Sequence, residues 1–470
     1  MPVTLPPSPK HLITLLEAAG HSAYAVGGCV RDALLGQPPG DWDLCTSAQP
    51  EQVLACLRTQ GIKALKTGLQ HGTITAVIDH RPFEITTFRL DGDYTDHRRP
   101  DHVTFTDDLA ADLSRRDFTV NAMAWHPKKG LIDPFHGERD LRASLLRCVG
   151  EPSRRFGEDA LRILRCLRFA SMLGFAIEEH TSHALFDLKE TLQHIAAERI
   201  QSELTRLLCG KNARQILLDY REIIFAVLPQ LRPLSGFDQR TPWHCHDIWG
   251  HTCAAVEAIP PQPTLRWAAL LHDCGKPPCF FMRDGVGHFH GHPEVSERMA
   301  REILHGLKCP KKLIGRVALL VRHHELRLLE QPPNPARLRR LLGQLGPEAL
   351  LDLLELTRAD VMAQAPGKLY RLEGCESLRT QILALTLEAP CVTRGQLAVN
   401  GKDLMALGLQ GPELGRMLDL LLEEVLEGRA ENTRDALLKW AKENLRNAAP
   451  RCLHHPPEAG ASSTGGGLGD

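Results

Sequence analysis

Residues able to do chemistry gather early in the chain. The run Tyr24-Ala-Val-Gly27-Gly-Cys-Val-Arg31-Asp32-Ala-Leu-Leu-Gly36 is followed at once by Asp41-Trp-Asp43. Residues two apart on a strand face the same way, so Asp41 and Asp43 would present two carboxylates to one point. Hard divalent cations such as Mg²⁺ bind through one or two carboxylates plus substrate phosphates. Such ions clamp the attacking and leaving oxygens of a phosphoryl displacement. Gly27 and Gly28 would let the backbone approach a phosphate, and Arg31 would bond it bidentately. Asp32 would fix Arg31 or cap the next helix. A lone Asp-x-Asp or Gly-Gly is usually a turn; their order within one short segment points to nucleotidyl transfer.

Three further groups extend this chemistry. Glu84 alternates with apolar residues in Phe83-Glu-Ile-Thr-Thr-Phe-Arg89, either facing the Asp pair as a third carboxylate or standing exposed on its strand. Arg115-Arg116-Asp117 precedes an apolar run, suited to a triphosphate or simply a charged helix flank. Glu158-Asp159-Ala-Leu-Arg162-Ile-Leu-Arg165-Cys-Leu-Arg168 reads as one helix with a basic stripe. A carboxylate and a guanidinium there would read the edge of a base without a template; a surface ion pair is the plainer alternative.

A histidine-rich region follows: His251, His272-Asp273, His288, His290, His292, His323-His324 and, later, Asp360. One buried His–Asp pair is usually structural. This many suggest a metal-dependent phosphohydrolase core, with ligands suited to transition metals.

The elements that must position these groups follow from pattern. At 470 residues, several domains are expected. Strands are expected at Ala23–Val26, Asp41–Thr46, Thr73–Ile78 and Phe83–Arg89, with helices at 11–20 and 51–60. After Phe156 the pattern turns helical: Glu158–Leu173, Thr181–Ile195, Glu198–Leu208 and Ala213–Leu228. Leu231–Pro242 reads as a linker and the glycine-rich end as a flexible tail. The fold class is α+β, an α/β head with a mixed sheet followed by helical regions. Boundaries are expected at 1–150 (head), 151–235 (neck), 243–368 (histidine-rich), 369–448 (helical C-terminal region) and 449–470 (tail).

Net charge is −1, so any nucleic-acid surface must be local. The 14 cysteines show no Cys-x-x-Cys spacing and read as buried, reduced thiols, some in apolar runs (Cys166, Cys209) and some in loops (Cys29, Cys279). Without a signal peptide or a long apolar run, a cytoplasmic protein is expected, with no membrane partner.

At Gly27–Gly36, Asp41–Asp43, Arg115–Ala122 and Glu158–Arg162 the chain resembles the class II tRNA nucleotidyltransferase and poly(A) polymerase family. The resemblance covers roughly residues 20–230. Residues 243–368 resemble an HD domain of bacterial members, and Asn400–Leu409 their C-terminal region. The resemblance implies that Asp41 and Asp43 hold catalytic Mg²⁺; Glu84 joins them as a catalytic candidate from its place on the strand. Gly28, Arg31, Arg116 and Asp117 would bind nucleotide. Asp159 and Arg162 would select ATP and CTP, with Glu158 orienting Arg162, and Arg165 and Arg168 would line the pocket. The RNA 3′-hydroxyl would attack the α-phosphate and release pyrophosphate.

In the HD region, the resemblance makes His251, His272, Asp273 and Asp360 ligands of a transition metal. His292, His323 and His324 would serve a second metal or a phosphate. Hydrolysis of 2′,3′-cyclic or terminal phosphates is then implied as an additional activity. Phe88–Phe105 resembles the loop of enzymes that add the terminal A. The implied function is CCA addition to tRNA, with tRNA, ATP and CTP as partners and no DNA. An A-adding enzyme, a poly(A) polymerase and an HD-type phosphohydrolase are the alternatives.

Overall fold

The structure, a computed structural model, describes residues 3–69, 72–92, 103–241, 243, 245–326, 328, 334–388 and 391–448. Residues 93–102 of the A-addition loop and the expected tail lie outside them. The chain divides into two compact units, residues 1–330 with 352–375, and residues 331–351 with 376–470.

The first unit opens with helix α1 (Pro7–Ala18) and strand β1 (Ala23–Val26), then α2 (Gly28–Leu34), β2 (Leu44–Thr46) and α3 (Pro50–Thr59). Strands β3 (Lys63–Gly68), β4 (Thr73–Ile78) and β5 (Arg81–Thr87) follow, then the pair β6 (Arg89–Asp91) and β7 (Val103–Phe105). Helix α4 (Leu109–Ser114), β8 (Ala124–His126), β9 (Gly130–Ile132) and α5 (Gly137–Arg142) complete the head. Seven strands form one sheet in the order β3-β4-β5-β2-β1-β8-β9. Only β2–β5 is parallel, so the sheet is mixed as expected. Tyr24, Val26, Cys45, Phe88, Leu113, Ala122 and Ala124 form an apolar cluster behind the site. Each large apolar side chain withdrawn from water contributes about 1.5–3 kcal/mol.

Several expected elements differ. The first helix starts at Pro7, where proline fits the first turn. Asp41–Asp43 precede the ladder, which begins at Leu44. Phe83–Arg89 divides because Arg89 leaves the sheet to pair with Phe105. Among the strands of the head, β3, β6, β7, β8 and β9 had no expectation, being short or poor in β-branched residues.

The helical neck begins with β10 (Leu145–Leu146) and α6 (Pro152–Glu158), then α7 (Leu161–Leu173), β11 (Ala176–Ile177) and α8 (Glu179–Asp187). Helices α9 (Ala197–Leu208), α10 (Ala213–Asp219) and α11 (Arg221–Val227) follow. The single helix expected over Glu158–Leu173 is two, because Asp159 is extended (φ −138°, ψ 103°). Thr181–Ile195 continues after Asp187 as tighter 3₁₀ turns, and Tyr220 breaks Ala213–Leu228. The expected linker is packed: Leu231 and Leu234 are fully buried.

Helices α12 (Ile248–Ala258), α13 (Pro263–Leu271), α14 (His292–Gly306) and α15 (Lys311–His323) build the histidine-rich region. A hairpin, β12 (Phe281–Arg283) and β13 (Val286–His288), interrupts it where only helix was expected. Helices α16 (Pro335–Leu345) and α17 (Pro347–Met362) follow; Asp352 onward belongs to the first unit.

The second unit holds α16, α18 (Cys375–Glu388), α19 (Gly401–Met405), α20 (Pro412–Leu426) and α21 (Arg434–Ala448). Asn400 caps α19 through Lys402 N (2.8 Å). Leu404, Leu421, Leu437 and Ala441 form its core. Most described cysteines are buried and none is bridged; Cys29 lies in α2 rather than a loop, and Cys245 is exposed. No described helix is long and apolar enough to cross a membrane.

Candidate active site and metal centre

The sheet register sets the carboxylates side by side. Leu44 on β2 pairs in parallel with Ile85 on β5, so Asp43 and Glu84, each one residue earlier, are neighbours. Trp42 between the two aspartates is buried while Asp41 and Asp43 are exposed, as an extended backbone requires. Desolvation, then the charge of Glu84 and that of Asp41, push the Asp43 carboxyl up to about 6, with Arg116 opposing. A cluster of hard oxygen donors crowded enough to resist ionisation fits Mg²⁺.

The glycine turn sits at the end of β1. Gly27 has φ +82°, and a Cβ there would lie 2.9 Å from Arg116 Nη1. The turn is therefore glycine for two reasons, conformation and the passage of an arginine. Arg31 donates from Nη1 to Asn121 Oδ1 (2.5 Å) and from Nε to Asp32 Oδ1 (2.8 Å). Asn121 in turn donates to Asp117 Oδ1 (3.2 Å), whose other oxygen accepts from Arg165 Nε and Nη2 (2.9 and 2.6 Å). Burial would raise Asp117, but Arg165 and Asn121 hold it down at about 2. Arg115 and Arg116 both reach Asp112 of α4 (2.8 and 3.4 Å).

The break at Asp159 shapes the far wall. Arg162 donates from Nη1 to Glu158 Oε2 (2.7 Å) and the Arg155 carbonyl (3.0 Å), and from Nη2 to the Arg115 carbonyl (3.1 Å). Asp159 accepts from Leu161 N (3.1 Å) and, across the neck, from Arg199 Nη2 of α9 (2.9 Å). A cavity of about 420 Å³ results, lined by Gly27, Gly28, Asp43, Asp117, Asp159 and Asn121, by the ring of Phe169, and by Arg31, Arg115, Arg116, Arg162, Arg165 and Arg199. Six guanidinium groups against three carboxylates make it an anion site. Arg168 turns away to a buried pair with Glu203 of α9 (2.6 Å) and is not among the lining residues. Glu84 and Asp41 flank the cavity through Asp43.

Sequence reasoning missed Asp112, Phe169 and Arg199, and gave no role to Asn121 within the string Arg115–Ala122. Arg199 had no local signal, being 40 residues from its partner.

A second cluster lies in the histidine-rich region. His251, His272, His292 and His324 are buried, and each points Nδ1 at a backbone carbonyl: Ala363 (3.3 Å), Ala269 (2.8 Å), Phe289 (2.9 Å) and Val321 (2.7 Å). That fixes a proton on Nδ1 and turns Nε2 toward the carboxylates, the atom a metal would take. The Nε2 atoms converge in pairs, His251 with His272 (3.4 Å) and His292 with His324 (3.1 Å). Asp273 stands between the pairs: Oδ2 is 3.2 Å from His272, and Oδ1 is 3.3 Å from His292. Asp360 Oδ1 completes the first pair, 2.9 Å from His251. Two triads result, His251–His272–Asp360 and Asp273–His292–His324. Burial opposes a charged His272, yet Asp273 and Asp360 raise it to about 10, so the pocket favours positive charge. Asp273 Oδ2 also lies 2.7 Å from Lys276 Nζ. Four convergent imidazole Nε2 atoms with two carboxylates fit a transition metal, and Asp273 is placed to serve both triads. His323 stands outside, lining a neighbouring cavity of about 360 Å³ with Arg322 and Glu294.

Comparison with known proteins agrees with this geometry. Residues 23–147 match the poly A polymerase head domain, 174–233 the probable RNA and SrmB-binding site of polymerase A, and 291–441 a tRNA nucleotidyltransferase domain 2. The CCA-adding enzyme of Geobacillus stearothermophilus is 36% identical over 94% of this chain and 98% of its own. That of Lactobacillus delbrueckii subsp. bulgaricus is 33% identical over 90% and 94%. The crystal structure of the Bacillus stearothermophilus CCA-adding enzyme in complex with CTP superposes with a TM-score of 0.70, at 31% identity, covering 94% of this chain and 99% of that one. With such identity along nearly its whole length, the chain belongs to the CCA-adding enzyme family of tRNA nucleotidyltransferases.

Proposed function

We propose that this member builds C-C-A onto the tRNA 3′ end from CTP and ATP without a nucleic-acid template, using Asp41, Asp43 and Glu84 to hold Mg²⁺. The observation that carries this reading is a six-arginine cavity with carboxylates at one wall and the Asp159–Arg162 break at the other. Bound Mg²⁺ supplies charge neutralisation at the reacting phosphates. Arg116 and Arg31 steady the triphosphate. Arg162 donates to the base edge while Asp159 accepts from its exocyclic amine. The 3′-hydroxyl oxygen forms the new bond to the α-phosphorus, the α–β bridge breaks, and pyrophosphate leaves. Positioning and fixed charge supply most of the acceleration. Residues 1–150 serve as the catalytic head, 151–235 as the selecting neck, and 369–448 as a tRNA grip, in the cytoplasm. Arg168, paired with Glu203, supports the pocket wall without touching nucleotide.

The test offers transcripts ending before CCA, after C and after CC, with CTP, ATP or both. Two C residues then one A, followed by a stop, support the reading. A alone on the CC-ended transcript would mark an A-adding enzyme, and a long A tail a poly(A) polymerase. Asp41→Ala and Asp43→Ala should each abolish addition.

The second cluster favours an additional activity, metal-dependent phosphate-ester hydrolysis at residues 243–368. The observation behind it is four Nδ1-anchored imidazoles converging on Asp273. His251, His272, Asp273 and Asp360 would hold one ion and His292 and His324 another. Metal analysis of the purified protein, with phosphate release from simple esters, tests it. Asp273→Ala should end hydrolysis, whereas Asp41→Ala should leave it.

A further inference from the structure

The ligands of the histidine cluster are not equally enclosed. The side chains of His251 and His272 are 0% exposed and that of Asp273 is 2% exposed, but that of Asp360 is 24% exposed. The triad His251–His272–Asp360 therefore has one ligand on its open side. A carboxylate that water reaches can turn away from an ion, and holding it in one orientation costs side-chain entropy.

Gln364 holds it from behind. Asp360 divides its two oxygens. Oδ1 faces the imidazoles, 2.9 Å from His251 Nε2 and 3.8 Å from His272 Nε2, while Oδ2 accepts from Gln364 Nε2 (3.0 Å). Gln364 lies just past the end of α17, where the turns tighten and its N donates to the carbonyl of Val361 (3.1 Å). The amide has one permitted orientation. Arg371 Nη1 donates to Gln364 Oε1 (3.0 Å), and a guanidinium has donors only, so the amide oxygen must face Arg371 and its NH₂ must face Asp360.

The same turn serves a second ligand of this triad. The carbonyl of Ala363 accepts from His251 Nδ1 (3.3 Å). Ala365 N donates to the carbonyl of Trp243 (2.9 Å), and Lys368 Nζ lies 3.7 Å from the centre of the Trp243 ring. Residues 363–365 are thus tied down and touch two of the three ligands from outside. The other triad draws its outer contacts from elsewhere: Asp273 from Lys276 Nζ (2.7 Å), and His292 and His324 from the carbonyls of Phe289 and Val321.

We propose that Gln364 is a positioning residue for a transition metal at the His251–His272–Asp360 triad and sets the affinity of that triad alone. A donor behind a ligating carboxylate fixes its direction, and outer partners of this kind are worth about 10–100-fold in metal affinity. The donor is a neutral amide, so Asp360 keeps its full charge for the ion. The proposal rests on the reading of the cluster as a metal centre, though not on the reaction carried out there.

The test uses the full-length protein, stripped of metal and kept in excess Mg²⁺ so that the head carboxylates are filled. Ni²⁺ is then titrated in by calorimetry. His251→Ala and His324→Ala each remove a ligand of one triad, and so assign each binding phase. Gln364→Ala should weaken the phase that depends on His251 about 10–100-fold and leave the phase that depends on His324 unchanged. Gln364→Met, which fills the same space without a donor, should weaken it equally. Nucleotide addition should be the same in both Gln364 variants, a check that the fold is intact. An unchanged His251 phase in Gln364→Ala, full recovery with methionine, or equal weakening of both phases would overturn the role of Gln364 alone. Wild-type protein with no Ni²⁺ uptake that depends on His251 would overturn the metal reading, and this proposal with it.

Discussion

Arg199 Nη2 donates to Asp159 Oδ2 across 2.9 Å, so a carboxylate of the selecting wall is held from a different helix, α9. The other nitrogen, Nη1, is buried with no partner among the described residues. Arg199 is therefore a positioning residue for Asp159 and a contributor of positive charge to the cavity. Arg199→Ala should relax discrimination among nucleotides, with incorporation of CTP and ATP reduced about tenfold and misincorporation of UTP increased. A lost charge-assisted hydrogen bond costs about 1.5–3 kcal/mol, which sets that scale. Single-turnover incorporation with each nucleotide checks it; Arg199→Lys should recover rate better than selectivity. Unaltered discrimination in the alanine variant would remove the role.

Gly27 admits Arg116 to the phosphate side of the cavity. At φ +82° and ψ −132°, any other residue is strained by about 1–3 kcal/mol. The 2.9 Å approach of Arg116 Nη1 to a Cβ adds a clash that the flexible arginine relieves by moving. Gly27→Ala should therefore lower melting temperature by a few degrees and cut nucleotide addition far more than that loss explains. Combining it with Arg116→Ala should cost little beyond the single variants, because the two act through one contact. Additive rate losses would separate them.

The site was legible where function depends on nearest neighbours in the chain. Asp41 and Asp43 are exposed on either side of buried Trp42, the alternation of a strand, even though the ladder begins only at Leu44. The break at Asp159 was hidden by an unbroken leucine pattern, yet its signal existed: Asp159 Oδ1 accepts from Leu161 N, as a capping aspartate does just before a helix. The hairpin was equally readable. Asp284 and Gly285 both have positive φ, the Asp-Gly turn that joins two-residue hairpins, but the surrounding helical periodicity outweighed it. Arg199 on Asp159 and the choice of His324 over its neighbour His323 depend on packing between distant helices, which no local pattern encodes.

Ionisation of Asp43 couples the metal to pH. Its carboxyl is raised from 3.8 to about 6, so the fold favours the protonated form. That contribution to stability is fully present below about pH 4 and is lost as pH rises through 6. Mg²⁺ reverses the preference by binding the carboxylate. Mg²⁺ affinity should thus climb between pH 5 and 7 and level off above, with proton release greatest near pH 5. Calorimetric titration in two buffers of different ionisation enthalpy measures both quantities. An affinity flat from pH 5 to 7 would refute the coupling.

Metal in the histidine cluster should also hold the fold together. His251, His272, His292 and His324 are buried around Asp273, so an ion there binds only the folded chain. Ligand present at a hundred times its Kd stabilises by about 2.7 kcal/mol. For a unit of this size that corresponds to a shift on the order of 4 °C. Exhaustive chelation followed by return of Mg²⁺ alone should leave nucleotide addition intact and melting temperature lowered. Adding back Mn²⁺, Ni²⁺ or Zn²⁺ should restore it. His272→Ala should melt low from the start and respond to none of them. A chelated protein that melts as the untreated one does, with His272→Ala equally unaffected, would mean that hydrogen bonds to Asp273 and Asp360 suffice to bury these imidazoles, and that the cluster is structural.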